Sequence, residues 1–140
     1  MVTVIDGKNL LLGRMCSLVS KRILSGEEIA IINSEKVIVS GSRAKVIEEY
    51  YQKRMRGSVE GGPFYPRRPD QIVKRTVRGM IPYKTKTGAA AFRRVKTYVG
   101  VPYELKEKET EVLETAHRDR LSSARYITIG AISTNLGAKY

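Results

Sequence analysis

Two apolar patterns near the start of the chain indicate regular secondary structure. A helix is predicted over residues 11–24, because apolar residues recur there at the three- and four-residue spacing of one helix face. That face carries Leu12, Cys16, Val19 and Ile23. Residues 29–32 form a continuous apolar run of strand length, and residues 2–5 predict a short strand. The order strand, helix, strand is typical of an α/β unit.

The next part of the chain continues this pattern. Residues 37–39 predict a third short strand, and a second helix is predicted over 42–55 with Ile47, Tyr50 and Tyr51 on its inner side. Oppositely charged side chains four residues apart support this helix. These elements predict an α/β fold with a mainly parallel sheet.

Two further helices are predicted after a Gly- and Pro-rich stretch at 57–69. The first runs from Pro69 to Gly79, since proline suits the first helical position and glycine the end. A second exposed loop at 82–88 leads into a short helix over 88–95. The predicted inner sides carry Ile72, Val73, Val77 and Met80 in the first helix, and Ala91, Phe92 and Val95 in the second.

The last part of the chain has weaker signals. Residues 103–124 are polar and rich in glutamate, which predicts an irregular segment with one weak helix. Residues 126–130 predict a closing strand, and residues 131–136 a terminal helical turn that ends at Gly137.

The positive charge of the chain is concentrated in one segment. The 140 residues include 26 Lys and Arg against 14 Asp and Glu, a net charge of +12. Residues 53–98 hold 13 basic and two acidic side chains, so this segment carries +11 and the rest of the chain +1. Self-repulsion at this density disfavours a compact state unless a polyanion neutralises it. We therefore expect a single domain over 1–140 whose basic half, at about 53–98, binds a nucleic acid.

Composition argues against several other classes of protein. The single cysteine, Cys16, permits no disulfide within the chain and indicates a reducing compartment. With the single histidine, His117, it falls short of the four ligands of a structural zinc site. No apolar run approaches the roughly 18 residues of a membrane span, and the start of the chain lacks a secretory-signal pattern. We expect a cytoplasmic protein with no membrane partner, no metal and no cofactor.

Candidate catalytic groups are few. The turn from Gly7 to Gly13 resembles a phosphate-binding loop, but it has five residues between the glycines instead of four and lacks the Lys and the Ser or Thr. Cys16 falls on an apolar helix face, and His117 has no nucleophile motif nearby. Asp6 stands at a strand end, where ligands often bind. A small RNA-processing or nucleotide-dependent enzyme using Asp6 therefore stays open as an alternative.

The candidate binding residues are the cations of the basic segment. Arg outnumbers Lys there by eight to five, and its planar guanidinium binds phosphate with two hydrogen bonds. The cations are spread over two loops and two helix faces, which favours the phosphates and 2′-hydroxyls of folded RNA over a DNA groove. The predicted phosphate-binding residues are Arg54, Arg56, Arg67, Arg68, Lys74, Arg75, Arg78, Lys84, Lys86, Arg93, Arg94 and Lys96.

Aromatic residues and glycines extend this candidate site. Tyr65 and Tyr83 lie beside basic residues outside any predicted core strand, so both packing and base stacking are open for these rings. Gly61, Gly62 and Gly88 are predicted to let an RNA backbone approach closely. We expect the Gly- and Pro-rich loops to become ordered on contact with RNA.

Several motifs also resemble one known family. In chain order they are Asp6-Gly7, Leu12-Gly13-Arg14-Met15, Ile32-Asn33-Ser34-Glu35-Lys36-Val37, Val39-Ser40-Gly41, Thr76-Val77-Arg78-Gly79-Met80-Ile81-Pro82, Lys84-Thr85-Lys86-Thr87-Gly88 and Ala91-Phe92-Arg93-Arg94-Val95-Lys96. Their order and spacing resemble the universal thirteenth large-subunit ribosomal protein. Residues 68–82 are more similar to its archaeal and eukaryotic branch, and the lack of a long basic C-terminal extension favours an archaeal-type member. Residues 103–124 match no motif of this family.

The resemblance implies a three-layer α/β/α fold with a mostly parallel four-stranded sheet and basic RNA-binding loops and helices. It implies a non-enzymatic structural constituent of the large ribosomal subunit, located in the ribosome in the cytoplasm. Its partners would be large-subunit ribosomal RNA and neighbouring large-subunit ribosomal proteins, with no small-molecule substrate and with a part in early subunit assembly. A free-standing RNA-binding regulator is a second alternative, because the residues alone do not separate it from a ribosomal protein.

Overall fold

A computed structural model describes residues 2–58, 60–122 and 125–140. In chain order the helices and strands are β1 (Val2–Asp6), α1 (Leu12–Leu24), β2 (Glu28–Ile32), β3 (Ile38–Ser40), α2 (Arg43–Met55), α3 (Pro69–Gly79), α4 (Lys86–Arg93), β4 (Val95–Thr97), β5 (Thr110–Glu111), β6 (Tyr126–Thr128) and α5 (Ile129–Asn135). Short 3-10 turns lie at Ser34–Lys36, Tyr103–Leu105, Glu114–Ala116 and Arg118–Arg120.

The central sheet has four parallel strands in the order β4-β2-β1-β5. Its register places Val4 beside Ala30 and Thr110, and Ala30 beside Lys96. Helices flank this sheet, so the predicted α/β class with a mostly parallel four-stranded sheet is confirmed.

Two of the predicted strands lie outside the parallel sheet, and two strands of that sheet were not predicted. The strands predicted at 37–39 and 126–130 exist in shorter form as β3 and β6, but they pair antiparallel in a separate two-stranded sheet. The outer strands of the parallel sheet, β4 and β5, were not predicted, since 88–95 was assigned to a helix and 103–124 to an irregular segment. Strands of three and two residues are too short to show an alternating pattern.

The two central strands of the parallel sheet, β1 and β2, carry buried apolar residues on both faces. Ile5, Ile29 and Ile31 point to one face and pack in the main core with residues of α1 and α3. Val4, Ala30 and Ile32 point to the other face, where they form a second, smaller cluster with Leu105. The predicted continuous apolar run follows from this burial on both faces.

The buried side of α3 determines which of its residues face outward. Ile72, Val73 and Val77 are each fully buried, and Pro69 occupies the first helical position as predicted. Met80 is 42% exposed, so its predicted place in the inner stripe is wrong. It lies just beyond the end of the helix, where the chain no longer follows the helical period.

Two other helices also differ from their predicted form. In α2 the buried residues are Val46 and Tyr50, while Tyr51 is 48% exposed, so its predicted inward position is wrong. Helix α4 begins two residues earlier than predicted, because the hydroxyl of Thr85 accepts a hydrogen bond from the Gly88 amide at 3.1 Å and caps the helix. It ends at Arg93, and Val95 is buried in β4.

Arg22 links the short outer strand β5 to helix α1. Arg22, in the last turn of α1, donates to Glu27 at 2.7 Å and to Glu111 of β5 at 2.9 Å. The hydrogen bond from Arg22, together with one from the Thr3 hydroxyl, holds the pKa of the Glu27 carboxyl below its usual value. Part of the glutamate-rich segment is therefore a component of the sheet and not a free acidic loop.

Candidate nucleic-acid interface

The outer side of α3 lines a groove of the basic segment. Lys74, Arg75 and Arg78 lie on this side because the apolar positions of the helix are turned into the core. The groove has a volume of about 410 Å³. Its lining consists of Phe64, Pro66, Gln71, Lys74, Arg75, Arg78 and Phe92.

A second groove, of about 230 Å³, adjoins the first. It lies between the end of α2 and the Gly- and Pro-rich loop and is lined by Arg54, Met55, Arg56, Gly57, Ser58, Pro63, Phe64 and Arg67. Phe64 belongs to both linings. We call these two grooves and the ridge between them the two-groove surface.

Most of the predicted cations lack an acidic partner in the part of the chain that the structure describes. Among the residues that the structure describes, Arg68 alone of the twelve forms an ion pair, with Asp70 at 3.4 Å. Outside the basic segment, by contrast, Arg22 pairs with two glutamates. Lys53, also in the basic segment, pairs with Glu49 at 3.8 Å. Most of the positive charge of the segment is therefore not compensated by ion pairs in the described part of the chain, which is the electrostatic condition for binding a polyanion.

The loop before α4 extends this positive surface. Lys84 and Lys86 are exposed, and Tyr83 is 37% exposed. The guanidinium of Arg78 lies over the Tyr83 ring, 4.7 Å from its centroid. One face of Tyr83 is therefore already taken by a cation of the chain.

Three of the predicted cations lie in a different place. Arg93, Arg94 and Lys96 line a separate cavity of about 290 Å³, together with the acidic residues Glu28 and Glu104. Arg94 also donates a hydrogen bond of 2.7 Å to the carbonyl of Ile23. The structure thus places eleven of the twelve predicted cations on the two-groove surface, at the start of α4 and in this mixed-charge cavity. The twelfth, Arg68, lies just before α3 and lines none of these three places.

Tyr65 is engaged inside the chain. Its ring packs edge-to-face on Tyr50, with centroids 6.0 Å apart, and it meets the cations of Lys53 and Arg75 at 5.7 and 5.5 Å. Burial raises the pKa of its hydroxyl. Its carbonyl accepts a hydrogen bond of 2.6 Å from Arg54. These contacts favour packing over base stacking, the two alternatives open for Tyr65.

The three candidate glycines have different surroundings. Gly61 is exposed, and its amide donates to the hydroxyl of Ser58 at 2.7 Å. Gly62 has a positive φ of 77°, a conformation that side chains other than glycine rarely adopt. Gly88 is buried, and a Cβ there would overlap the carbonyl oxygen of Pro82. The close approach at Gly88 is made by the chain itself, which gives this glycine a structural reason; its role toward RNA stays a prediction.

The candidate catalytic groups are engaged in the fold. Cys16 is fully buried, and this burial raises the pKa of its thiol. The reactive thiolate form is therefore disfavoured. The Asp6 carboxylate accepts hydrogen bonds from the Lys8 amide and the Asn33 side chain at 3.0 and 2.9 Å. Within the described ranges, no group of three or more His, Cys, Asp and Glu side chains is placed to hold a metal ion. None of the helices described is long and apolar enough to cross a membrane.

A small α/β protein with a large uncompensated basic surface is the class that this fold defines. Comparison with known proteins makes the class specific. The family model described as "Ribosomal protein L13" matches residues 1–104. The chain is 52% identical over 140 residues to "Large ribosomal subunit protein uL13" of Methanosarcina barkeri, covering 99% of this chain and 100% of that protein.

Two other archaeal relatives of the same name show how far the similarity extends. The protein of Methanococcoides burtonii is 50% identical over 139 residues, covering 99% of this chain and 100% of the relative. The protein of Haloarcula marismortui is 40% identical over 135 residues, covering 96% and 90%. The chain belongs to the ribosomal protein L13 family and is of the archaeal type. It is a structural protein and not an enzyme, and its place is the ribosome in the cytoplasm, as predicted.

Proposed function

We propose that this chain is a constituent of the large ribosomal subunit that binds large-subunit ribosomal RNA through the basic surface of residues 53–98. The observation that supports this most strongly is the set of cations without acidic partners. Of the twelve predicted phosphate-binding residues, one has a carboxylate partner within the described residues. Phosphates of a folded RNA supply the charge that the chain does not.

The same charge supports a part in early subunit assembly. RNA segments repel one another through their phosphates, and a protein that neutralises several of them reduces the cost of bringing the segments together. Cations on two grooves, a loop and a separate cavity can reach different RNA segments at once. Neighbouring large-subunit ribosomal proteins are the other expected partners. Family membership favours this function over a free-standing regulator.

The cations of α3 provide a direct test. We expect the triple variant Lys74→Gln, Arg75→Gln, Arg78→Gln to bind large-subunit ribosomal RNA at least about tenfold more weakly, with the slope of log K against log salt smaller by about 2–3, since each lost phosphate contact lowers the slope by roughly one. The measurement is a filter-binding titration at several salt concentrations.

A matched control removes three positive charges elsewhere. Lys106, Arg120 and Lys139 are exposed and lie outside the basic segment. Their combined change to Gln should leave the slope within about half a unit of the wild type, since no phosphate contact is lost. Equal losses in both triple variants would mean that net charge, and not the α3 surface, determines binding.

A further inference from the structure

We propose that Phe64 is a stacking platform for an unpaired RNA base, with the phosphates on either side of that base held in the two flanking grooves. This inference rests on the proposed function and specifies which kind of RNA element the two-groove surface takes. It also assigns a binding role to a residue outside the set of predicted site residues.

The ring of Phe64 is the open aromatic surface of this region. Its residue is 59% exposed. The rings of Tyr65, Tyr83 and Phe92 each have a cation of the chain over them, whereas Phe64 has no such contact within the part of the chain that the structure describes. An aromatic face that the fold leaves unused is available to a base.

The backbone beneath Phe64 holds the ring in place. Ser58 and Gly62 exchange two backbone hydrogen bonds of 3.0 and 3.1 Å, which close the turn that precedes the ring. A Cβ added at Gly62 would lie 3.1 Å from two atoms of the Phe64 ring, so the ring rests on the glycine. On the other side, the hydrogen bond from Arg54 to the Tyr65 carbonyl fixes the chain that follows. Because the ring is presented in advance, little ordering is needed when a base binds.

The position of Phe64 between two cationic grooves indicates the form of the RNA. Arg54, Arg56 and Arg67 line one groove, and Lys74, Arg75 and Arg78 line the other. A backbone that passes from one groove to the other places the base between its two phosphates against the Phe64 ring. In a continuous duplex every base is already stacked and paired, so it offers no face to the ring. A bulged or loop nucleotide does, and any of the four bases has a suitable face.

The test compares two RNA hairpins that have the same stem. One carries a single bulged 2-aminopurine, and the other is fully paired. Because the two hairpins have nearly the same number of phosphates, the electrostatic contribution to binding free energy is nearly equal and cancels when their affinities are compared. We expect the full chain to bind the bulged hairpin about 5- to 150-fold more tightly, the range that stacking of one base corresponds to, and the 2-aminopurine emission to change on binding. Phe64→Ala should remove this preference without changing the salt slope, and Phe64→Trp should keep it.

Controls separate the inference from the function on which it rests. Tyr103→Ala removes an aromatic ring that is 89% exposed outside the two-groove surface, and it should retain the full preference. The inference is overturned if the wild type shows no preference for the bulge, including no binding to either hairpin, or if Phe64→Ala retains the preference. Salt-dependent binding to large-subunit ribosomal RNA in those cases would leave the proposed function standing, and loss of that binding as well would overturn both.

Discussion

Raising the salt concentration from 50 to 200 mM is expected to weaken binding to large-subunit ribosomal RNA by about 10³–10⁵-fold, if 6–10 phosphates are contacted. The structure makes this number of contacts reasonable. Of the twelve predicted cations, Arg68 is paired with Asp70, while Arg54 and Arg94 donate to backbone carbonyls. In the described part of the chain, the remaining nine form no ion pair within 4.0 Å, and three of them, Lys74, Arg75 and Arg78, lie over aromatic rings. A cation over a ring can still donate hydrogen bonds to phosphates.

The physical reason for the salt effect is the release of counterions. Each phosphate that the protein neutralises sets free a condensed cation, and that release is less favourable when the bulk salt is higher. Affinity should be measured by fluorescence anisotropy over this salt range, with thermal unfolding recorded in the same buffers to exclude loss of the fold. A change of less than about tenfold corresponds to few phosphate contacts and would contradict the proposed function.

Gly88→Ala is expected to destabilise the fold by about 3 kcal/mol, roughly 10 °C in Tm for a domain of this size. The Pro82 carbonyl, which would overlap the added methyl group, is itself held in place because it accepts hydrogen bonds from the amide and the hydroxyl of Thr85, at 3.0 and 2.8 Å. Backbone that is tied in this way cannot move aside cheaply. Thermal unfolding followed by circular dichroism measures the effect.

Gly79→Ala is the matched control for this substitution. Gly79 is also a helical glycine, at the end of α3, and nothing lies within 4 Å of a Cβ built there. Its change to Ala should leave stability unchanged or raise it by up to about 1 kcal/mol, because alanine favours the helix. If instead Gly88→Ala unfolds like the wild type but binds RNA more weakly, then the glycine serves RNA approach and our structural interpretation is wrong.

The three long helices could be predicted from the sequence because each presents a full periodic pattern of apolar residues. The predicted bounds of α1, α2 and α3 agree with the structure within a few residues. The strand β2 could be predicted because its buried position gives a continuous apolar run. The errors lie where an element is too short for such a pattern or where tertiary contacts determine it. Strand β5 has two residues, both exposed, and its place is set by pairing with β1 and by the ion pair of Arg22 with Glu111. The hydrophobic pattern around Thr110 and Glu111 does not predict those contacts.

The candidate site could be predicted in composition but not in arrangement. Charge counting alone locates the basic segment, since the excess is so uneven along the chain. How the cations divide between grooves depends on the tertiary fold, which sends Arg94 toward Ile23 and leaves Arg56 and Arg67 around Phe64. Tyr65 and Phe64 are adjacent in sequence, yet one is packed and the other open. The run of Gly and Pro around them was the only available signal, and it does not distinguish the two rings.

In the assembled particle, the residues of the basic segment are expected to face RNA. Ultraviolet cross-linking of intact large ribosomal subunits, followed by mass spectrometry of peptides joined to nucleotides, measures this contact. We predict that cross-linked peptides of this chain come predominantly from residues 53–98, with Phe64 among the modified positions. If cross-links are confined to other parts of the chain and peptides of 53–98 are recovered free of nucleotide, the proposed RNA-binding surface is wrong.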